Sequence, residues 1–164
     1  MDYRIANNDD LEIVWNKDIE KHKGDERWVR WKDEYINYNK LNQLKTFVAV
    51  TEENDVIAQV SLVFSDSVKA VRGKPLLCNN SDIANFNAFR CDEKFRGQGH
   101  ISKLVKLAES YAKDNGIKTI TIGAETTMPK NLSIYFHFGY TDFVMYELDP
   151  EENNELILYY SKQI

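Results

Sequence analysis

The sequence predicts an α/β protein with a mixed, partly antiparallel sheet. Three observations carry that prediction: a hydrophobic period that switches between 3.6 and 2 residues in the order βααβββαβαββ, two β-rich runs joined by a short polar turn, and a glycine turn leading from a strand into a long amphipathic helix. With 164 residues, 43% apolar and 29% charged, the chain reads as one domain spanning 1–164, long enough to bury a core. Its three prolines and seven glycines are scattered at turn-like places, so no linker or repeat divides it.

A short strand near Tyr3–Ala6 precedes Asn7-Asn8-Asp9-Asp10, which offers helix caps before Leu11, Val14 and Trp15. After Gly24-Asp25, the residues Trp28, Trp31, Tyr35, Tyr38 and Leu41 recur at steps of three or four and predict a second helix with an aromatic stripe. The runs Thr46–Thr51 and Val56–Phe64, rich in Val, Ile, Phe and Thr, read as a hairpin across Glu52-Glu53-Asn54-Asp55. Ser65–Asp82 holds too many turn formers for a regular element and reads as a long loop or ragged strand extension, either disordered or covering a site. Ile83–Cys91 predicts a further strand, and Gln98–Asn115 a helix stopped by Asn115-Gly116. The remainder predicts a strand at Ile117–Ala124, a helix at Pro129–Phe138 opened by its proline, and strands near Tyr140–Glu147 and Glu155–Ser161.

A net charge of -5 and an isoelectric point near 5.3 give no reason to bind nucleic acid or an anionic membrane, and mildly favour a cationic partner. Cys78 and Cys91 form no Cys-x-x-Cys pair, and His22 and His137 fall in no ligand pattern, so neither a disulfide framework nor a metal is expected. The start, Met1-Asp2-Tyr3-Arg4, lacks a basic region followed by an apolar core, and no apolar run has membrane-spanning length. The expectation is a cytoplasmic protein.

The segment Phe95-Arg96-Gly97-Gln98-Gly99-His100-Ile101-Ser102 carries the chemistry. Glycines without Cβ let backbone N–H groups approach a diphosphate, and the positive end of the following helix dipole favours its charge. The same glycines suit a strand-to-helix turn that binds nothing, and by themselves they do not choose. A dinucleotide fingerprint would need a third glycine where Ser102 stands, and a Walker A loop would need a Gly-Lys-Ser/Thr that neither glycine precedes.

With these residues in view, the sequence resembles the GNAT superfamily of acyl-CoA-dependent N-acetyltransferases over essentially its whole length. The family signature is Arg or Gln, two residues, Gly, one residue, then Gly or Ala. Arg96 through Gly99 follow it, and Ile101 departs from the small final residue. The resemblance implies a mixed, mostly antiparallel sheet whose middle parallel strands splay apart to admit acetyl-CoA. It implies that the turn amides from Arg96 to Ser102 bind the pyrophosphate, and that the backbone of Phe89-Arg90-Cys91 pairs with the pantetheine arm. A second match, Asn131 to Tyr140, looks like the family's late helix and places Tyr135 on the tyrosine that protonates the departing thiolate. The family's asparagine on that helix falls on Met128 here, and Asn131, one turn before Tyr135, stands as its substitute. The resemblance also implies a homodimer.

An alkylamine of pKa about 10 must lose a proton before it attacks a thioester. The family's glutamate base falls on Asn87, which cannot titrate, so Glu125 at the end of the next strand is the candidate, ahead of Asp82 and Glu53. Cys91 reads as a small buried side chain, which makes direct transfer the expected route. His100 either contacts phosphate or caps its helix. Trp28, Trp31 and Tyr35, with Trp15, Tyr38 and the acids Asp25, Glu26, Asp33 and Glu34, read either as an aromatic and acidic wall for a cationic amine or as an ordinary amphipathic helix. The expected reaction is acetylation of a primary amine on a small cationic molecule. Its rivals are acetylation of a peptide or protein amine, and a CoA-binding module without chemistry.

Overall fold

The computed structural model describes residues 1–164. Strand β1 (Asp2–Ile5) is followed by α1 (Asn8–Lys21), α2 (Arg27–Lys40), β2 (Leu44–Val50), β3 (Val56–Val63), β4 (Ile83–Cys91), α3 (His100–Asp114), β5 (Thr119–Glu125), α4 (Pro129–His137), β6 (Asp142–Asp149) and β7 (Glu155–Gln163). The seven strands order as β1-β2-β3-β4-β5-β7-β6 in one sheet. β1 with β2, β5 with β7 and β6 with β7 pair antiparallel, whereas β4 and β5 run parallel. Element order therefore follows the periodicity of the sequence, and the differences lie at boundaries. The helix expected from Gln98 begins at His100, because Gly97 and Gly99 hold φ angles of +75° and +81°, outside the helical region.

Contacts group the chain into two compact units, one of residues 1–62 and 88–110, the other of residues 63–87 and 111–164. In the first, Asn7 and Asp10 form a capping box: Asp10 N–H donates to Asn7 Oδ1 at 2.9 Å and Asn7 N–H to Asp10 Oδ2 at 2.8 Å. Arg4 on β1 forks onto the same carboxylate, which fastens strand to helix. Leu11, Val14 and Trp15 of α1 pack with Val48, Val50, Val56 and Ile36. Ile36 is the one fully buried residue of α2; its other inward positions are Trp28, Trp31 and Tyr35, packed partly buried against that cluster. A buried polar line, Asn39 to Thr46 at 3.1 Å and Thr46 to Ser61 at 2.9 Å, joins α2 to the β2–β3 hairpin.

In the second unit the β4–β5 register runs from Ile83↔Thr119 to Phe86↔Ile122 and ends there, although β5 itself continues to Glu125. The β5–β7 register extends from Thr119↔Gln163 to Glu125↔Ile157. The segment 65–82 is neither disordered nor ragged. Val68, Val71, Leu77 and Cys78 are fully buried, a 3-10 turn forms at Lys69–Val71, and Thr121 Oγ1 donates to the Leu77 carbonyl at 2.8 Å. Lys74 and Lys69 tie it further to Glu147 at 2.6 Å and Glu151 at 2.8 Å. Its turn formers set the path, while four apolar side chains anchor it.

Candidate active site

The turn expected to bind an anion lies in the first unit. After β4 a 3-10 turn at Glu93–Phe95 leads to Arg96, whose Nε donates back to the Cys91 carbonyl at 3.1 Å and holds the turn against the strand end. Gln98 Nε2 donates to the Lys94 carbonyl at 3.0 Å. A Cβ built on Gly97 or Gly99 would meet nothing within 4 Å, so the space over their amides is open. The first amides of α3, from His100 through Ser102, have no acceptor within their own helix and carry its partial positive charge. Open space, two positive-φ glycines and a helix N-terminus are the features a diphosphate needs, and the residues present fit that group.

His100 itself is committed elsewhere. Its Nδ1 shares a 2.8 Å hydrogen bond with the Tyr3 hydroxyl, Lys103 donates to the same hydroxyl at 3.3 Å, and Phe95 meets its ring edge-on. Burial, with Lys103 nearby, pulls its pKa below the ordinary value, which keeps the ring neutral. The imidazole therefore pins α3 to β1 through Nδ1, while its Nε2 is buried without a hydrogen-bond partner. Ile101, the departure from the family signature, is half-buried on α3.

Upstream, Ala88 sits at φ +53°, a left-handed conformation inside β4. Arg90 points into an aromatic cluster: its guanidinium carbon lies 4.1 Å from the Trp15 ring centre and 5.1 Å from that of Trp28, and Nε lies 2.8 Å from Asp18 Oδ2. Burial and Asp92 raise the pKa of Cys91, whose sulfur contacts the Asp92 carbonyl at 3.6 Å, an environment that disfavours a thiolate.

Trp28, Trp31 and Tyr35 do come together. Trp15 lies 5.0 Å from Tyr35 and 6.5 Å from Trp28 between ring centres, and Trp28 lies 5.1 Å from Trp31. Two of the cluster's rings, Trp15 and Trp28, face the Arg90 guanidinium, and the acid beside it is Asp18 of α1. Asp25 instead pairs with Arg27 at 2.7 Å, which holds its carboxyl down at about 2.

The second unit holds Glu125 and Tyr135, the residues expected from the sequence to handle protons. Glu125 ends β5; burial and the carboxylates of Glu155, Glu152 and Asp149 raise its pKa. Tyr135 of α4 is 8% exposed, and burial and Glu125 push its phenol well above the usual tyrosine value, so it stays protonated. Asn131 precedes it by one turn, half-buried. Two groups escaped the sequence reading: Tyr159 on β7 donates to Glu147 on β6, and Lys74 pairs with the same carboxylate. The signal was Gly123, a glycine inside a strand, which marks a close approach from its neighbour. Of the weaker base candidates, Glu53 lies in an exposed turn with its pKa lowered by its own backbone N–H, and Asp82 accepts from Asn79 at 2.9 Å. No group of three or more His, Cys, Asp or Glu is arranged to hold a metal, and no helix is long and apolar enough to cross a membrane.

No curated protein matches the sequence. Among solved structures, a ribosomal-protein-alanine N-acetyltransferase from Brucella melitensis is 12% identical, with 100% of each chain covered and a TM-score of 0.73. A chimera of spermidine N-acetyltransferase from Vibrio cholerae and hSSAT is 15% identical over 99% of this chain and 96% of that one, with a TM-score of 0.70. An aminoglycoside 6'-N-acetyltransferase complexed with coenzyme A is 12% identical over 99% of this chain and 97% of that one, with a TM-score of 0.69. At these identities the likeness is one of fold. The profile of the acetyltransferase (GNAT) family matches residues 9–140. With four-fifths of its length covered by that profile, the chain belongs to the GNAT acetyltransferase family.

Proposed function

We propose that this acetyltransferase moves an acetyl group from acetyl-CoA to a primary amine of a small, cationic molecule by direct attack in a ternary complex. The observation that carries the reading is the carboxylate group at the ends of β5, β6 and β7. Glu125, Asp149, Glu152 and Glu155 gather negative charge that would draw a protonated amine, and burial with those neighbours raises the affinity of Glu125 for a proton.

Acetyl-CoA, when bound, supplies an acyl thioester. The amides from Arg96 to Ser102 would hold its pyrophosphate, the backbone of Phe89–Cys91 its pantetheine arm, and Asn131 would add a side-chain hydrogen bond to that arm. Glu125 would accept the ammonium proton at a carboxylate oxygen, directly or through water, freeing the nitrogen lone pair. A backbone N–H near Cys91 would donate to the thioester oxygen as it gains charge. The Tyr135 phenol, held protonated by its burial, would deliver its proton to the departing sulfur. Trp28, Trp31 and Tyr35 would border the acceptor. Residues 1–164 act as one domain in this reading, since each compact unit is discontinuous in sequence. A cytoplasmic place is supported by two free cysteines, and a homodimer is proposed from the family alone.

Mass spectrometry of acetyl-CoA incubated with a panel of amines tests this. The expected result is amine-dependent release of CoA with a product heavier by one acetyl group, and a fall of about 100-fold or more in kcat for Tyr135→Phe. Unchanged kcat in that variant removes the acid role. Turnover confined to peptides moves the substrate class, and CoA binding with no transfer to any amine leaves a binding module.

A further inference from the structure

In the first unit two indoles and a carboxylate enclose a cation, which is the residue set that recognises organic ammonium and guanidinium groups. Trp15, 1% exposed, and Trp28 present their rings to the Arg90 guanidinium, and Asp18, also buried, faces its Nε. His22 stacks on Trp28 at 3.9 Å and 9°, an exposed ring at the rim. The occupant comes from the chain itself.

Arg90 fits this cage incompletely. Its Nη1 is buried without a hydrogen-bond acceptor, and Trp15 Nε1 is buried without one. Asp18 Oδ2, though 2.8 Å from Arg90 Nε, is not aligned for a hydrogen bond. Burial pulls the guanidinium below its ordinary pKa and pushes the Asp18 carboxyl above its own, in each case against the pull of the partner. Both members thus lose more in hydration than their mutual attraction restores. Arg90's side chain is 20% exposed, so part of the occupant is in contact with solvent.

We propose that Trp15, Trp28 and Asp18 form a cation-binding cage that Arg90 fills in the ligand-free chain and that an alkylguanidinium or alkylammonium ligand takes by displacing Arg90 into water. Charge in the cage is conserved, because one cation leaves as another enters. A short ligand can align its donors freely on Asp18, whereas Arg90 is constrained by its place on β4. The inference concerns binding alone, so it succeeds or fails separately from acetyl transfer.

All three tryptophans of the chain lie in this cluster, so intrinsic fluorescence reads it directly. The full chain and Arg90→Met are titrated with n-butylguanidinium chloride against sodium chloride of equal ionic strength, with far-UV circular dichroism confirming the fold throughout. Removing the intramolecular competitor is expected to tighten binding about tenfold or more, and adding Asp18→Asn to Arg90→Met is expected to abolish saturation. A folded Arg90→Met protein that responds alike to both salts overturns the proposal. Should that variant not fold, the wild-type chain decides: saturation by butylguanidinium that Trp28→Leu removes supports the cage, and a response identical to sodium chloride overturns it.

Discussion

Tyr159 lies across the sheet directly on Gly123: a Cβ at position 123 would stand 2.7 Å from Tyr159 Cε1 and 3.0 Å from Ile157 Cγ2. The two residues face each other in the β5–β7 register, so the glycine is there to admit the ring. Gly123→Ala is therefore expected to destabilise the protein by about 1–3 kcal/mol in urea denaturation, the usual penalty for overfilling a packed site. Adding Tyr159→Leu should cost less than the sum of the single changes; simple additivity would show that the ring is not what the glycine accommodates.

Segment 65–82 is expected to unfold with the core. Leu77 is fully buried and its carbonyl accepts from Thr121, so Leu77→Ala should lower stability by about 2–5 kcal/mol. A loss below about 0.5 kcal/mol, the level of an unremarkable surface change, would place the segment outside the cooperative fold.

Gly97 and Gly99 separate binding from stability. Their positive φ angles make an alanine strained by about 1–2 kcal/mol each, but nothing packs where its Cβ would stand. If the turn holds the pyrophosphate as proposed, that methyl would stand in the open space beside it. Loss of one charge-assisted hydrogen bond, about 1.5–3 kcal/mol, corresponds to CoA affinity weaker by about 10- to 100-fold in calorimetry of either variant. Unchanged CoA affinity would show that the turn only joins strand to helix.

Glu125 carries a pH signature in both rate and stability. Its pKa is raised above the ordinary 4.5, so the carboxylate forms only at higher pH and the acid limb of kcat/KM is expected above that value. Glu125→Gln should remove the limb and lower kcat/KM by about 100-fold or more. For folding, a raised carboxyl pKa means that the folded state holds the proton more tightly than the unfolded chain. The stability this contributes is complete below 4.5 and is lost as pH rises through the folded value. Relative to the wild type, Glu125→Gln should thus gain urea resistance as pH rises above 4.5. A constant difference between the two proteins would contradict the raised pKa.

Much of this molecule is legible in one dimension. The order of strands and helices follows from hydrophobic period, the start of α1 from Asn7 and Asp10 three residues apart, the end of α3 from Gly116, and the open turn from Gly97 and Gly99. These features are settled by backbone preferences and hydrogen bonds that reach only a few residues along the chain. Tertiary structure alone decided the rest. It ended the β4–β5 ladder at Phe86, drew Leu77 and Cys78 into the core from a segment that reads as a loop, and laid Tyr159 over Gly123. It also filled the aromatic stripe of α2 with Arg90, more than fifty residues further along. A cation and an aromatic stripe in a sequence each have many possible partners. Which ones meet depends on how helices and strands distant in sequence pack together, and no local pattern encodes that choice.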